Sequence, residues 1–280
     1  MTFRDSHVLG LALLAMAAIS CGAPRPAGAD GIMLVPAGAF WMGRDDGPAS
    51  EGPQHRVFVR DFWIERHKVT NAEFARFLHA SGLQPPGSDH RFDDDDPDAR
   101  IHLVNGRWTA DPGFEHHPAV EVSWFGARDY CRWTGRRLPT EAEWEKAARG
   151  EDRRPYPWGS APPAPDLAVF GRAYNATDRG DARPRGASPY GVEDLLGNTR
   201  EWTGSVLRPY PYREDDIRAR SADPFAGGGH VVARGASHDD PAATLRVTLR
   251  RSYDRRGASA GHHFLGFRCA TSEDLGEIAR

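Results

Sequence analysis

The first candidates for chemistry in this 280-residue sequence are four consecutive polar residues: Ser237, His238, Asp239 and Asp240. One imidazole and two carboxylates are hard ligands that suit non-haem iron or another divalent metal. Consecutive side chains seldom converge on one ion, however, and a His-Asp-Asp-Pro segment is commonly a polar, capped turn. The sequence leaves both interpretations open and favours the turn.

A second candidate is the run of four aspartates from Asp93 to Asp96. Calcium prefers about six to eight oxygen ligands, many of them carboxylates and carbonyls of an irregular loop. An acidic run without basic partners is more typical of a solvated loop, and the sequence favours that interpretation.

The sequence contains three cysteines, Cys21, Cys131 and Cys269, and an odd number in an exported protein leaves one unpaired. If Cys21 carries a lipid or is removed with a signal peptide, the other two remain as a possible disulfide. Chain-entropy reasoning gives a bridge that closes so long a loop about 4–5 kcal/mol of stability. Two buried free thiols are the alternative.

The first 29 residues are predicted to be an export signal with a linker. The apolar run in HVLGLALLAMAAISC is too short to span a membrane and has the length of a signal-peptide core. Two processing sites remain open, lipidation at Cys21 and cleavage after Ala29, and a buried core helix is the third alternative. Either processing route leads to the periplasm or the outer face of a bacterial membrane, where disulfides form.

Capping patterns predict where helices begin. Thr70 with Glu73 and Thr140 with Glu143 each match a capping box, in which two side chains satisfy the first free backbone amides. A further helix between these two places Cys131 on its buried face. The sequence therefore predicts helices that follow well-defined loop segments.

Short apolar runs separated by glycine and proline predict several short strands and much irregular chain, since the sequence holds 30 glycines and 22 prolines. Residues 83–118 are predicted as one long loop. The expected fold class is α+β, with one domain over residues 30–274 and a tail at 275–280. The formal net charge of −3 does not suit a nucleic-acid partner.

Seven sequence blocks in a fixed order resemble the formylglycine-generating enzyme, or sulfatase-modifying factor, family. They are VPAGAFWMG, HKVTNAEFARFL, HPAVEVSWFGARDYCRWTGRRLPTEAEWEKAARG, YPWG, YGVEDLLGNTREW, ARGAS and GFRCA, and the resemblance covers residues 32–271. It implies a loop-rich variant of the C-type lectin fold. It also implies a disulfide between Cys131 and Cys269, which stand where family members bridge two cysteines.

The block EDLLGNTREW resembles the inner calcium loop of the family, and this implies a structural calcium ion held by carboxylates and backbone carbonyls. The four implied ligands are Asp194, Gly197, Thr199 and Glu201, while Asn198 braces the turn. A plain glycine-centred turn is the alternative. The second calcium loop of the family begins with asparagine where this sequence has Ala168, so that site is expected to be lost or rebuilt.

The oxidase of the family converts a target cysteine to formylglycine with oxygen, and two cysteines hold its copper(I), a soft ion that prefers thiolates. This sequence has no cysteine between Arg234 and Arg268, and its two domain cysteines match structural positions. The copper–thiolate mechanism is therefore not expected here. The resemblance places other residues in the groove instead: Ser237, His238, Asp239 and Asp240, with His262 and His263 close to them.

Two functions follow from these expectations. The first is an exported scaffold, tied to a membrane only by a possible lipid anchor, that binds a protein or peptide partner in the groove. The second is a metal-dependent oxidase or maturation factor that acts on an exported peptide or metalloenzyme, with a second metal of unknown identity near His238. Formylglycine formation by the copper–thiolate mechanism is the least favoured alternative.

Overall fold

The computed structural model describes residues 31–84, 89–212 and 224–272. Export, lipidation of Cys21 and the tail at 275–280 fall outside these ranges and stay predictions. Within the described ranges, no helix is both long and apolar enough to cross a bilayer.

Four α-helices and eleven short strands form the regular part of the described chain, which agrees with the expected α+β class. The helices are α1 (Asn71–Ser81), α2 (Trp124–Trp133), α3 (Glu141–Arg149) and the short α4 (Arg255–Ser259). The strands are β1 (Ile32–Val35), β2 (Gly38–Met42), β3 (His55–Val59), β4 (Phe62–Glu65), β5 (Ile101–Val104), β6 (Arg107–Ala110), β7 (Arg200–Val206), β8 (Val231–Arg234), β9 (Arg250–Tyr253), β10 (Leu265–Gly266) and β11 (Ala270–Thr271).

The strands form two small sheets and two hairpins. The larger sheet has the order β10-β7-β8-β9, in which β10 runs parallel to β7 and the other neighbours are antiparallel. The second sheet is antiparallel with the order β1-β4-β11, and the hairpins are β2–β3 and β5–β6. Because β10 and β11 belong to different sheets, the segment that contains Cys269 joins the two.

The long loop predicted over residues 83–118 is wrong in part, because the β5–β6 hairpin lies within it. Its turn is formed by Asn105 and Gly106, which have positive φ angles of 50° and 77°. An Asn-Gly pair at such angles is a preferred two-residue hairpin turn, so the sequence does carry a local signal for this hairpin. Within the hairpin strands only Ile101 and Ala110 are buried, so the apolar alternation is too weak to indicate strands.

Both predicted capping boxes are present. The Thr70 hydroxyl accepts from the Glu73 amide, and the Glu73 carboxylate accepts from the Thr70 amide, 2.9 Å away. Thr140 and Glu143 make the same reciprocal pair at α3, with 2.7 Å from Thr140 N to Glu143 Oε2. The boxes fix where α1 and α3 begin, and hence the path of the loops that lead into them.

The predicted disulfide between Cys131 and Cys269 is confirmed, with Cα atoms 5.5 Å apart and both residues fully buried. In the same core, the rings of Phe74, Tyr130 and Phe267 contact one another. The Tyr130 and Phe267 ring centroids are 5.4 Å apart, and Phe74 lies 5.9 Å from each. The bridge therefore links α2 to the segment between β10 and β11 inside an aromatic core.

Candidate functional site

The consecutive residues Ser237 to Asp240 do not gather around one point. The Asp240 carboxylate is held by the Arg200 guanidinium and by the Ser237 amide, each 2.9 Å away. The Ser237 hydroxyl lies 2.6 Å from Asp239 Oδ1 and 2.8 Å from Asp240 Oδ2. A metal triad of His238, Asp239 and Asp240 is therefore not formed, because Asp240 is committed to an internal ion pair, and the polar-turn interpretation fits the geometry.

His238 is fully buried behind this turn. Its Nδ1 donates to the Asn198 carbonyl oxygen at 2.8 Å, which leaves Nε2 as an acceptor. No hydrogen-bond partner among the described residues reaches that Nε2. Burial lowers the pKa of His238, so its imidazole is neutral at neutral pH, and its ring centroid lies 5.6 Å from that of His263.

Three other residues do gather at one point: Asp98, Glu121 and His263, named here the acid–histidine cluster. One ligand atom of each lies within 4.8 Å of the other two. They come from three separate segments, the approach to β5, the approach to α2 and the loop between α4 and β10. Two carboxylates and an imidazole at this spacing form a set of ligands suited to a metal ion.

Asp98 is oriented by its neighbours. The Asn175 side-chain amide donates to Asp98 Oδ1 at 2.9 Å, and the Asp98 amide donates to Asp96 Oδ1 at 2.8 Å. The other carboxylate oxygen, Oδ2, then lies 3.9 Å from His263 Nδ1. The Tyr174 ring covers His263, with 3.9 Å between centroids, and a hydrogen bond with Asp98 raises the pKa of Tyr174 to about 12.

Glu121 reaches the cluster through an uncommon backbone conformation, with a φ angle of 57° in the left-handed region. Its amide donates to the His262 carbonyl oxygen at 3.3 Å, and its carbonyl oxygen accepts from the Asp93 amide at 3.0 Å. Gly261 packs against the Glu121 carboxylate. A Cβ added at Gly261 would lie 2.5 Å from Glu121 Oε2. The glycine therefore leaves the space that the carboxylate occupies.

The Glu121 carboxylate lacks a counter-charge in the part of the chain that the structure describes. It is 2% exposed, and no lysine, arginine or hydrogen-bond donor of these residues stabilises it. Burial and the nearby charges of Asp96, Asp98 and Asp93 raise the pKa of Glu121 to about 8. A buried carboxylate without a positive partner is costly, and a bound cation would supply that partner.

Asp239 lies on the solvent side of the cluster. Its Oδ2 is 3.6 Å from His263 Nε2, and its side chain is 34% exposed. The His263 Nε2 atom is buried and makes no hydrogen bond within the described ranges. This mixture of carboxylate oxygen and imidazole nitrogen suits Fe²⁺ or Mn²⁺ better than copper(I), which prefers sulfur.

Three of the four implied calcium ligands, Asp194, Gly197 and Glu201, do come together, but around a protein cation. The Lys68 Nζ lies 2.9 Å from Asp194 Oδ2 and 3.3 Å from the Gly197 carbonyl oxygen, and it also donates to the Asp194 carbonyl oxygen. Glu201 Oε1 is 3.8 Å from the same nitrogen. While the ammonium holds this position, the oxygens do not fit a calcium ion, because two cations would compete for the same ligands.

The rest of this loop is fixed by further contacts. Asn198 braces the turn as expected, since its Nδ2 donates to Asp194 Oδ2 at 2.9 Å. The Thr199 hydroxyl is buried without a hydrogen-bond partner among the described residues. Burial raises the pKa of Asp194, and the Lys68 ammonium opposes that rise. Ala168, at the start of the second implied calcium loop, is buried and offers no side-chain oxygen.

Of the residues at these two sites, His263 is expected from the sequence, whereas Asp98, Glu121 and Lys68 are not. The two carboxylates lie in different segments and follow no metal-ligand spacing, so only the tertiary structure brings them together. Lys68 carried one usable signal. Every second residue of β4 is buried, namely Phe62 and Ile64. Lys68 is also an even-numbered position, so the same alternation carried past the strand predicts that its side chain faces inward.

The fold and its sites define a class of protein: an α+β domain of the C-type-lectin-like type, rich in loops. The chain belongs to the sulfatase-modifying factor family, since the profile of the "Sulfatase-modifying factor enzyme 1-like domain" matches residues 21–273. Among solved structures, PvdO from Pseudomonas aeruginosa is similar with a TM-score of 0.66 at 26% identity, over 86% of this chain and 93% of that chain. These matches confirm the predicted family and fold.

Two relatives differ in what their names say about activity. The chain is 37% identical over 259 residues to hercynine oxygenase of Mycolicibacterium smegmatis, which covers 83% of this chain but only 60% of that protein. It is 34% identical over 279 residues to inactive C-alpha-formylglycine-generating enzyme 2 of Mus musculus, covering 85% of this chain and 84% of that protein. The relatives of this chain therefore include both a protein named as an oxygenase and one named as inactive.

Proposed function

We propose that this family member is a metal-dependent oxidase whose acid–histidine cluster binds Fe²⁺ or Mn²⁺ and which acts on an exported peptide or protein. The observation that carries the proposal is the Glu121 carboxylate, buried and unpaired beside the Asp98 carboxylate and the His263 imidazole. A divalent cation at this point would displace the proton that Glu121 holds at neutral pH, pair with both carboxylates, and bind His263 Nδ1, the imidazole nitrogen that faces Asp98. Three protein ligands also leave coordination positions for substrate or oxygen.

The reaction class rests on the relatives of the chain and on its sulfur chemistry. Similarity to a protein named as an oxygenase supports a reaction with O₂. Both cysteines of the described residues are joined in a buried disulfide, so they offer no thiolate pair for copper(I). In the proposed reaction the substrate loses two electrons and two protons, and O₂ takes them up as hydrogen peroxide.

The solvent edge of the cluster would meet the substrate. Tyr174 is 68% exposed and covers one face of His263. Asp239 is one-third exposed and lies beside the other nitrogen of the same imidazole. The Asp239 carboxylate at this edge favours a substrate with an amine or guanidinium group near its reacting centre, because opposite charges attract, and the Tyr174 phenol can accept a hydrogen bond from the same group.

Metal binding is the first test. Metal-free protein would be titrated anaerobically with Fe²⁺ and in air with Mn²⁺, and bound metal would be measured by calorimetry and elemental analysis. We expect one ion in this site per chain, and at least about tenfold weaker binding in Asp98→Asn, Glu121→Gln and His263→Gln. The matched control is Asp95→Asn, which removes the same charge from an exposed position of the same segment. Equal binding by all four variants would contradict the assignment.

The oxidase assignment needs its own readout. Nitric oxide reports an open coordination position on iron by electron paramagnetic resonance, so it would be added to the Fe²⁺-loaded protein. We expect a nitric-oxide signal in the parent protein and none in Glu121→Gln. If iron binds with the predicted variant dependence but gives no signal, the site is structural and the oxidase proposal fails while the metal site stands.

A partner-binding scaffold is the second candidate, and the similarity to a relative named as inactive favours it. In that case the residues around His238 and His263 would hold a peptide or protein without reaction. Pull-down from an envelope extract with the parent domain and with Glu121→Gln separates the two functions, since a scaffold would keep its partner without metal. If neither protein enriches a partner, the scaffold is disfavoured.

We also propose that the protein is exported and that Cys21 carries a lipid anchor, on the strength of the short apolar run and the small residues before that cysteine. Incorporation of labelled palmitate into the parent protein but not into Cys21→Ser is the expected result. Cleavage after Ala29, read from the N-terminus of the mature protein, would replace the anchor by ordinary secretion.

A further inference from the structure

We infer that Lys68 is the built-in counter-ion of the loop from Asp194 to Glu201, and that this domain holds the loop in shape without calcium. Where the family resemblance implies a metal ion, the chain supplies an ammonium group of its own. Removal of that ammonium group should leave a cage of oxygens that accepts Ca²⁺. The inference does not depend on the proposed oxidase.

The ammonium nitrogen has a complete set of oxygen neighbours. It donates to the carbonyl oxygens of Asp194 and Gly197 and to the Asp194 carboxylate. These contacts account for all three N–H groups of an ammonium. The Glu201 carboxylate, 3.8 Å away, adds a second negative charge to the surroundings.

The site is closed to solvent. The side chains of Lys68 and Glu201 are 0% exposed, and that of Asp194 is 7% exposed. Lysine is almost never fully buried unless its charge is paired, so the burial of this side chain reflects its contacts with the loop. An ion entering the loop would meet a fixed positive charge at the point it must occupy.

The charges in contact with the Lys68 ammonium and its carboxylate partners already balance, while Arg200 of the loop pairs separately with Asp240. Asp194 and Glu201 carry two negative charges, and Lys68 and Arg268 carry two positive charges. Arg268 engages Glu201 at two points, with nitrogen–oxygen distances of 2.7 and 2.9 Å. A divalent ion added to this neutral set would leave two buried positive charges without partners, which is strongly unfavourable.

The backbone holds Lys68 in position between β4 and α1. The following residue, Val69, donates its amide to the Phe267 carbonyl oxygen at 2.9 Å. The Val69 carbonyl oxygen in turn accepts from the Ala119 amide at 2.8 Å. These bonds fix the backbone next to Lys68, and from this position its side chain reaches the loop.

Thermal unfolding of the parent protein tests the first half of the inference. The melting temperature would be measured in excess EGTA and in millimolar CaCl₂. Because the acid–histidine cluster also contains carboxylates, the same pair of measurements would be made on Glu121→Gln. We expect no calcium-dependent shift in Glu121→Gln. A rise in its melting temperature with Ca²⁺ that persists when Asp95→Asn is added would overturn the inference, since the acidic run from Asp93 to Asp96 would then not account for it.

Lys68→Ala tests the second half. In EGTA its melting temperature should fall by roughly 6–15 °C, because two buried carboxylates lose a partner. Added Ca²⁺ should restore much of that loss in a concentration-dependent manner, also in the Glu121→Gln background. The matched control is Lys146→Ala, which removes another buried lysine whose ammonium donates to the Pro36 and Gly38 carbonyl oxygens. Calcium should not restore the control.

A folding failure of Lys68→Ala would still decide the question. The variant would then be refolded in EGTA and in millimolar CaCl₂, and native structure would be followed by near-ultraviolet circular dichroism. Recovery only with Ca²⁺ supports the oxygen cage. Equal behaviour in both solutions, folded or unfolded, rejects it.

Discussion

Arg268 and Glu201 form a two-point ion pair inside the fold, with Nε 2.7 Å from Oε2 and Nη2 2.9 Å from Oε1. Neither side chain has any solvent exposure. The same guanidinium donates to the backbone carbonyl oxygens of Glu65, Arg66 and Glu193. One arginine therefore joins the end of β4, the loop before β7 and the segment between β10 and β11.

Arg268→Met should destabilise the protein by about 3–5 kcal/mol, because it leaves the buried Glu201 carboxylate without its main partner. Urea unfolding followed by tryptophan fluorescence measures the change. The control is Arg179→Met, since the Arg179–Asp181 pair is half exposed and its loss should have no measurable effect. Equal stability of the two variants would show that the buried pair contributes nothing.

Reduction of the disulfide between Cys131 and Cys269 should cost about 4–5 kcal/mol, because the bridge closes a loop of 138 residues in the unfolded chain. Guanidinium unfolding with and without dithiothreitol measures the loss. A variant with both cysteines changed to serine should resemble the reduced parent protein and should not respond to dithiothreitol. A parent protein that is indifferent to reductant would contradict the bridge.

Gly261→Ala should weaken metal binding at the acid–histidine cluster by about tenfold or more, since supporting residues of metal sites commonly have effects of this size. The added Cβ would lie 2.5 Å from Glu121 Oε2, 2.7 Å from the Glu121 carbonyl oxygen and 2.8 Å from Asp93 Cβ, so Glu121 must shift as a whole. Titration with Mn²⁺ measures the change. Gly180→Ala is the control, because its Cβ would meet its nearest neighbour at an ordinary 3.6 Å. Identical affinities would show that Glu121 is not a ligand.

Thr140→Ala should destabilise the protein by about 1 kcal/mol, because it removes the hydroxyl that accepts from the Glu143 amide at the start of α3. The exposed Thr109 is the comparison, and Thr109→Ala should change stability by less than about 0.5 kcal/mol. Chemical unfolding of both variants provides the measurement. An equal loss in the two would mean that the cap is not what stabilises the helix.

Acid should destabilise the fold in part through Glu51. Burial alone would raise the pKa of Glu51, but hydrogen bonds from Arg246 and Thr248 outweigh it and hold the pKa below its usual 4.5. The ionised carboxylate therefore stabilises the protein above about pH 4.5, and that contribution disappears as the pH falls through the lowered pKa. Stability measured between neutral and acidic pH should fall less steeply in Glu51→Gln. A slope as steep as that of the parent protein would exclude Glu51 as a cause.

Features formed by residues that lie close together in the sequence could be predicted from it. The capping boxes at Thr70 and Thr140 involve residues three positions apart, so the sequence displays them directly. The Asn105-Gly106 turn is equally local, and the hairpin around it was missed only because its strands bury so little. The disulfide followed from the number of cysteines together with the family resemblance.

By itself the sequence determined the α+β class, the family and the starts of the helices, because these depend on local spacing and on blocks in a fixed order. Only the tertiary structure decided that Asp98, Glu121 and His263 meet, and that Lys68 enters the loop at Asp194. Such contacts join segments far apart in the chain. The energies of these contacts depend on how deeply the groups are buried and on which charges lie close together. Neither can be derived from the order of residues alone.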